Sequence, residues 1–208
     1  MRAWLEGIVR GSEASLVLTD AALVPRLAPL AGWLGVPVVG LGDGDMQALP
    51  VLEAGPDTLA LVQFTSGSTS MPRGVLVTHG QLAANLDQIA EASQFDEREV
   101  AVSWLPHYHN MGLVGMILLP LWVGFPVHLM SPMEFLEQPG RWLTAISRYR
   151  GTFSGGPNFA FDLAAIRTSA VEFETLDLTS WIGAFCGSEP VRVRSLERFA
   201  ARFAPRGF

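Results

Sequence analysis

A loop of small hydroxyl-bearing residues between two β-type runs carries groups that suit a phosphate. The loop residues are Thr65, Ser66, Gly67, Ser68, Thr69 and Ser70, which lie between the apolar run 59–64 and the run 75–78. Gly67 permits positive φ, and successive backbone N–H groups in such a turn form a concavity that binds anions. Arg73, followed by Gly74, adds a planar fork of donors that fits phosphate oxygens. The pattern indicates either a phosphate loop or an ordinary solvated turn.

A second segment with reactive groups is PHYHNMGLVG, residues 106–115. His107 and His109 have the His-x-His spacing that metal ligands can show, but no third ligand cluster at a known spacing accompanies them. We therefore predict no metal site. The residues alone leave both histidines open as loop residues or as components of a site.

Two strand-to-helix junctions combine small residues with polar ones. The first is GGPNF, formed by Gly155, Gly156, Pro157, Asn158 and Phe159, and the second is GSEP, formed by Gly187, Ser188, Glu189 and Pro190. Small residues at a strand end let a ligand approach the backbone, and they equally suit a plain turn. Cys186, the one cysteine, is expected to be a buried, unreactive thiol. A further glycine-rich stretch, 40–45, lacks the helix that follows a dinucleotide turn and is predicted to be a surface loop.

Apolar β-type runs alternate with helical patterns along the chain. The β-type runs are 15–19, 36–39, 59–64, 75–78, 100–104, 127–130, 151–155 and 181–186, and the helical patterns are 21–34, 81–93, 112–123, 131–150, 161–166 and 188–203. This alternation predicts an α/β fold, with open sheets flanked by helices. Thr78 is the expected N-cap of the helix 81–93. We expect 112–123 to be a buried helix and 127–130 a buried strand.

Charge and composition exclude several classes of partner. The 208 residues have a net charge of −6, which argues against nucleic acid or an anionic membrane as the main partner. The uncharged stretch 111–130 is broken by Pro120, Pro126 and three glycines, so no membrane span is predicted. The single cysteine and the lack of a signal-peptide core predict a cytoplasmic location. All 14 basic residues are arginine, so the chain offers no lysine for catalysis.

The string TSGSTSMPRG, residues 65–74, resembles the phosphate-loop signature of adenylate-forming enzymes. That superfamily comprises acyl-CoA synthetases, luciferases and peptide-synthetase adenylation domains. Gln63, Phe64 and Ser70 point to its fatty acyl-AMP ligase branch. The sequence of residues 141–149 is also similar to that of this branch.

Two more segments match the family with departures. WLPHYHNMGL, residues 104–113, is similar to Trp-Leu-Pro-x-Tyr-His-Asp-Met-Gly-Leu, with Asn110 at the aspartate position. Asn110 keeps a hydrogen-bond acceptor but loses the charge. The GSEP segment is similar to a Gly-Ala-Glu-Pro that lies along adenine, with Ser188 in place of alanine and Cys186 in place of the usual asparagine. Both changes are small in volume, so the pocket shape can persist.

The resemblance implies a reaction and gives residues roles in it. A fatty-acid carboxylate attacks the α-phosphate of ATP, pyrophosphate leaves, and the acyl adenylate passes to an acyl carrier protein, with Mg2+ accompanying ATP in the family. The residues implied for the pyrophosphate side are Thr65, Ser66, Gly67, Ser68, Thr69, Ser70, Arg73 and Gly74, and those for adenine are Gly187, Ser188, Glu189 and Pro190. His109 is implied near the carboxylate, and the acyl channel is implied to be lined by Met111, Gly112, Gly155, Gly156, Pro157, Asn158 and Phe159.

The resemblance covers nearly all of residues 1–208 and implies the middle of an N-terminal adenylation domain. The family's magnesium glutamate, ribose aspartate and lysine-bearing C-terminal domain have no counterpart in the sequence. We therefore expect this chain by itself to have little or no ligase activity. Three other interpretations stay open: a non-catalytic nucleotide- or lipid-binding remnant, an interaction subunit that a separate lysine-bearing polypeptide completes in trans, and a fragment of an acyl-CoA synthetase.

Overall fold

The computed structural model describes residues 2–41, 53–65 and 73–208. The chain divides into two units, Met1–Ala84 and Asn85–Phe208. The described elements of the first unit are α1 (Arg2–Gly11), β1 (Val17–Asp20), a 3-10 turn (Ala21–Leu23), α2 (Val24–Leu34), β2 (Val38–Leu41), β3 (Leu59–Thr65), β4 (Arg73–Thr78) and the start of α3 (His79–Ser93). β1 and β2 pair in parallel, whereas β3 and β4 form an antiparallel pair.

Local sequence signals explain where the helices of this unit begin and end. Thr78 caps α3, since its Oγ1 accepts from the Gln81 amide at 3.2 Å while Gln81 Oε1 accepts from the Thr78 amide at 3.0 Å. This reciprocal pair is a capping box and confirms the predicted N-cap. α2 ends at Leu34 and is capped by Gly35, whose φ of 74° suits glycine.

The second unit is built on a parallel sheet of four strands in the order β6-β5-β7-β8. Its further elements are β5 (Ala101–Ser103), α4 (Asn110–Leu113), a π-helical segment (Val114–Leu118), α5 (Leu119–Val123), β6 (Val127–Leu129), α6 (Pro132–Glu137), α7 (Gly140–Tyr149), β7 (Phe153–Gly156), α8 (Asn158–Arg167), α9 (Ala170–Thr175), β8 (Gly183–Cys186), α10 (Val193–Phe203) and a 3-10 turn (Ala204–Arg206). The predicted α/β class is confirmed.

Helices α7, α8 and α10 are held together by an aromatic cluster. Trp142 on α7 is fully buried, and its ring centroid lies 5.6 Å from that of Phe161 on α8 and 6.2 Å from that of Phe199 on α10. Burying each such side chain contributes about 1.5–3 kcal/mol. The cluster therefore fixes the helices that follow β6, β7 and β8 in the chain.

Ser154 links this cluster to the sheet. Its hydroxyl accepts a hydrogen bond from Trp142 Nε1 at 2.8 Å and donates one to the Val102 carbonyl on β5. The register of β5 with β7 is limited to Ala101 opposite Phe153. The backbone pairing between these two central strands thus stops short of their carboxyl ends. Beyond it, the Ser154 side chain links β7 to β5.

The connections leave the sheet in opposite directions at these two strands. The chain runs from β5 outward to β6 on one side, and from β7 outward to β8 on the other. In open parallel sheets, such a reversal opens a crevice outside the carboxyl ends of the strands, where ligands bind. The fold therefore selects the crevice between β5 and β7 as the candidate site.

Most predicted elements are confirmed, but three predictions of this unit are wrong in part. The stretch 127–130 is not a buried strand, since β6 is an edge strand and Leu129 is 60% exposed. The helix over 112–123 is only partly buried, because Leu121 is 75% exposed. The last helix begins at Val193 and not at Ser188, because Ser188 has a positive φ of 68° that a helix cannot contain.

Other elements were not predicted or lie outside the described residues. The sequence patterns did not indicate α1 or α9, although Ser169 and Glu172 form a capping box at the start of α9. The predicted surface loop 40–45 is described only at residues 40 and 41, which belong to β2. No described helix has the length and apolar character needed to cross a membrane.

Replacing Ser154 with alanine is expected to lower the free energy of unfolding by about 1–3 kcal/mol, because the buried Trp142 Nε1 and Val102 carbonyl lose their partner. Chemical denaturation measures this change. Ser15→Ala, at an exposed serine, is the control and should stay within about 0.5 kcal/mol of the unsubstituted chain. Equal stability of the two variants would contradict the bridging role of Ser154.

Candidate active site

Three of the segments predicted to form a site follow the carboxyl ends of parallel strands. Residues 104–112 follow β5, residues 157–159 follow β7, and residues 187–190 follow β8. Because neighbouring parallel strands end at the same edge of a sheet, these segments come together around the β5–β7 crevice. The sequence separates them by tens of residues, and the topology unites them.

Met111 on α4 joins the segment after β5 to the segment after β8. The Ser188 hydroxyl lies 3.8 Å from Met111 Sδ, and a Cβ added to Gly187 would lie 3.1 Å from Met111 Cε. A side chain at position 187 would displace Met111. Ser188 adopts a left-handed backbone conformation that non-glycine residues rarely hold without support from their surroundings.

The support comes from Asn158, the first residue of α8, which is fully buried. Its Nδ2 donates to the Pro190 carbonyl at 3.0 Å, and its Oδ1 accepts from the Arg192 amide at 2.7 Å. Cys186 Sγ also donates to this oxygen, at 3.5 Å. One buried side-chain amide therefore holds the second half of the loop 187–192 and contacts Cys186, the residue before the loop.

Glu189 adds a second tie between the same two segments. Its Oε1 accepts from the Asn158 backbone amide at 3.1 Å, and its Oε2 lies 3.4 Å from Arg192 Nη2. The Asn158 amide is an otherwise unsatisfied donor in the first turn of α8, so the carboxylate is favourably placed there. Glu189 thus stabilises the loop to which it belongs. Both oxygens of its carboxylate are used within the protein, one by α8 and the other by Arg192.

His109 occupies the N-cap position of α4. Its Nδ1 accepts from the Met111 amide at 3.3 Å, and the imidazole is exposed. Because Nδ1 is the acceptor, the neutral ring carries its proton on Nε2, which has no hydrogen-bond partner among the described residues. The side chain is therefore oriented to present a donor beside Met111. His107 and Asn110 are exposed neighbours.

Close packing explains three of the glycines predicted to line an acyl channel. An added Cβ would lie 2.2 Å from the Pro106 carbonyl oxygen at Gly112, 2.1 Å from the Phe185 carbonyl oxygen at Gly155, and 2.6 Å from Trp104 Cζ2 at Gly156. These positions need glycine because protein atoms occupy the space, whether or not a ligand approaches. Pro157 precedes α8, and Phe159 is 40% exposed.

Trp104, at the carboxyl end of β5, forms one wall of this region. Its ring stacks on Phe135 with centroids 3.9 Å apart and meets Phe159 edge-on at 5.8 Å. The indole is only 3% exposed, and its Nε1 has no hydrogen-bond partner among the described residues. The wall is thus aromatic and rigid.

The predicted phosphate loop lies largely outside the described residues. Ser66, Gly67, Ser68, Thr69 and Ser70 belong to that part of the chain. Its base is described: Thr65 at the end of β3 pairs with Arg73 at the start of β4, and Gly74 faces Val62, where a Cβ would lie 2.8 Å from Val62 Cγ1. Arg73 is exposed at the root of the hairpin. The phosphate role of this loop stays a prediction.

No described residues form a group of three or more His, Cys, Asp or Glu side chains that would hold a metal ion. Cys186, near the loop 187–192, is half-buried. Burial raises the pKa of its thiol, and the nearby Glu189 carboxylate raises this pKa further, whereas Arg192 lowers it. Cys186 is therefore a protonated hydrogen-bond donor at neutral pH and not a nucleophile.

Sequence reasoning placed Asn158 among the residues that line a substrate, but its fully buried amide is used within the protein. It also missed Arg192, whose backbone amide completes the Asn158 network. The available signal was an asparagine directly after a Gly-Gly-Pro turn, since a polar side chain at a buried helix start needs partners. Its partners, about thirty residues away, were not readable from the sequence.

Comparison with known proteins identifies relatives. A family model described as AMP-binding enzyme matches residues 5–207. The chain is 50% identical over 155 residues to the medium-chain-fatty-acid–[acyl-carrier-protein] ligase TtuA of Teredinibacter turnerae, covering 74% of this chain and 24% of TtuA. It is 40% identical over 214 residues to the medium-chain-fatty-acid–[acyl-carrier-protein] ligase JamA of Moorena producens, covering 98% of this chain and 36% of JamA. The chain thus spans about a third or less of the length of these relatives.

A solved structure shares the fold. The fatty acyl-adenylate ligase from L. pneumophila in complex with acyl adenylate and pyrophosphate superposes with a TM-score of 0.89 at 37% sequence identity, covering 98% of this chain and 36% of that chain. The similarity extends through both described units. It confirms the fold that the strand and helix patterns predict.

Replacing Asn158 with alanine is expected to loosen the loop 187–192. The free energy of unfolding should fall by about 2–4 kcal/mol, because the Pro190 carbonyl and the Arg192 amide both lose a buried partner. Hydrogen–deuterium exchange at the Arg192 amide should accelerate in the variant. Asn85→Ala, at an exposed asparagine, is the control, and an Arg192 amide that exchanges equally slowly in both variants would exclude this role.

Replacing Glu189 with glutamine is expected to speed the alkylation of Cys186 by iodoacetamide, since removal of the carboxylate lowers the pKa of the thiol. Glutamine keeps the acceptor for the Asn158 amide, so the loop stays in place. In the unsubstituted chain the reaction should be slower than that of an exposed thiol introduced by Ser15→Cys in a Cys186→Ser background. A Cys186 that reacts as fast as this reference thiol would contradict the assignment.

Proposed function

This chain belongs to the AMP-binding enzyme family, and from that premise we propose that it forms part of a ligase that joins a fatty acid to AMP. In the proposed reaction, a carboxylate oxygen attacks the α-phosphorus of ATP. The bond from the α-phosphorus to the bridging oxygen breaks, and pyrophosphate leaves with that electron pair. The product is an acyl adenylate.

The observation that carries this proposal is the meeting of three segments at the β5–β7 crevice. Met111 lies against Gly187 and Ser188, while Asn158 fixes the loop on its other side. We assign the loop 187–190 to adenine, since Asn158 and Glu189 hold its backbone in one conformation. A pre-ordered loop lowers the entropy cost of binding a flat ring, because the loop itself need not become ordered.

His109 is assigned to the reacting carboxylate and the acyl adenylate. Its Nε2–H is the outward donor beside Met111, and a donor there stabilises negative charge on the acyl or phosphoryl oxygens. Met111 and Phe159 are assigned to the start of the acyl chain, and Trp104 packs against Phe159 from behind. In this scheme Asn158 positions the loop 187–192 and does not contact the acyl chain.

The base of the β3–β4 hairpin supplies the remaining proposed contacts. Arg73 and the backbone around Thr65 and Gly74 are assigned to the β- and γ-phosphates, together with residues 66–70. Arginine suits this task because its guanidinium can donate two parallel hydrogen bonds to a phosphate. Charge neutralisation and alignment are the main contributions that a protein makes to phosphoryl transfer.

The described residues provide neither the Mg2+ ligands nor the catalytic lysine that are expected for the family. Mg2+ accompanies ATP in adenylate-forming enzymes, but the described residues include no cluster that would hold it, so no step is assigned to Mg2+. The sequence contains no lysine, so a lysine that stabilises the transition state would have to come from outside these 208 residues. Asn110 stands where the family has aspartate and offers a neutral acceptor.

The acceptor of the acyl group is proposed to be an acyl carrier protein. The names of TtuA and JamA describe ligases for such carriers. Coenzyme A is the second candidate, since relatives named putative fatty-acid–CoA ligase from Mycobacterium are 43% identical over 155 residues. The two candidates are distinguished by adding either the carrier protein or coenzyme A to the formed acyl adenylate and observing which thiol becomes acylated.

Replacing Arg73 with alanine is expected to weaken ATP binding by about tenfold or more, because a charge-assisted phosphate contact is lost. Calorimetric titration of the 208-residue chain with ATP measures this effect. Arg26→Ala is the matched control, since Arg26 is also an exposed arginine of the first unit. Equal weakening in both variants, or none in either, would count against the phosphate role.

For the reaction itself, the whole polypeptide that contains this chain is incubated with ATP, Mg2+ and octanoate. We expect pyrophosphate release and a product with the mass of octanoyl-AMP, and His109→Ala should slow its formation more than His107→Ala does. Release of ADP and phosphate, without an acyl adenylate, would refute the proposed chemistry.

A further inference from the structure

An exposed surface directly follows the proposed adenine loop. It consists of Val191, Arg192, Val193, Arg194 and Arg198, and we call it the arginine face. Val191 and Val193 are 51% and 64% exposed, and the three arginines are exposed beside them. Together with Asp162 and Ser195, Arg192, Val193, Arg194 and Arg198 line a depression of about 390 Å³.

The charges on this face are only partly neutralised within the chain. Arg192 has one contact to Glu189 at 3.4 Å, and Arg198 has one to Asp162 at 3.2 Å. Asp162 is also engaged by the Ser195 hydroxyl at 2.8 Å. Arg194 has no hydrogen bond or ion pair with any residue that the structure describes. Such exposed pairs are weak and exchange readily for contacts with a partner.

The composition of the face matches a protein interface and not a plain solvated surface. Two exposed valines and three exposed arginines make up the face, and arginine is enriched at protein interfaces relative to the rest of a protein surface. The chain as a whole carries a net charge of −6. A positive patch on an acidic chain selects an acidic partner, because most of the surrounding surface repels that partner.

We propose that the arginine face docks the acidic surface of an acyl carrier protein. This inference rests on the proposed function, because a carrier that accepts the acyl group must bring its thiol to the acyl adenylate. The face continues directly from Pro190, the last residue of the loop assigned to adenine. A carrier bound there would lie next to the loop assigned to adenine.

The test measures binding of an apo-acyl carrier protein of bacterial fatty-acid synthesis to the 208-residue chain. The apo form lacks the pantetheine arm, so the measurement reports the protein surface alone. Arg194→Glu is expected to weaken binding by about tenfold. Raising the salt concentration should weaken binding to the unsubstituted chain, because exposed charges are screened.

Arg148→Glu is the matched control, since Arg148 is also exposed and has no ion pair among the described residues. Both substitutions change the net charge equally, so only Arg194→Glu should affect binding. Equal weakening by the two variants, or no binding to the unsubstituted chain, would overturn the proposal. If the 208-residue chain binds the carrier but the whole polypeptide does not, because the rest of the protein covers the arginine face, the proposal is overturned as well.

ATP titration of the same variants separates this proposal from the proposed function. Arg194→Glu should leave the affinity for ATP unchanged within twofold, since Arg194 lies outside the nucleotide loop. A chain that binds the carrier through Arg194 but does not bind ATP would contradict the proposed function and leave the docking surface intact. A chain that binds ATP but not the carrier would contradict the docking surface and leave the proposed function intact.

Discussion

A single buried side-chain amide holds the loop on which the candidate site depends. Asn158 sits at the start of α8, fully removed from water, and its side chain bonds the Pro190 carbonyl and the Arg192 amide. Leaving these groups unpaired in the interior costs more than most single contacts contribute. These bonds favour the observed conformation of the loop 187–192, in which Ser188 lies in the left-handed region and Gly187 lies against Met111.

Topology determines where that loop lies. β5 and β7 send their connections in opposite directions, and their backbone ladder is limited to the amino ends. Ser154 and the aromatic cluster around Trp142 hold the strands below the crevice. Rigid elements thus present short polar segments at one edge, an arrangement that suits a site in which positions must be fixed before reaction.

The sequence predicted the α/β class, the strand ends and the segments at the crevice, because small polar residues after apolar runs mark such junctions. It did not predict what each residue does there. Gly155 and Gly156 suggested room for a ligand, yet Phe185 and Trp104 fill the space. Asn158 suggested a ligand contact, yet its partners lie about thirty residues away. Long-range pairings of this kind depend on the assembled sheet, which local patterns do not encode.

In the proposed function, the loop 187–192 and the start of α4 bind the adenylate together. Hydrogen–deuterium exchange of the chain, with and without a non-hydrolysable acyl-sulfamoyl adenosine, tests this claim directly. We expect the analogue to slow exchange both in residues 187–192 and in residues 109–112. Unchanged exchange in both segments, at a concentration where the analogue binds, would contradict it.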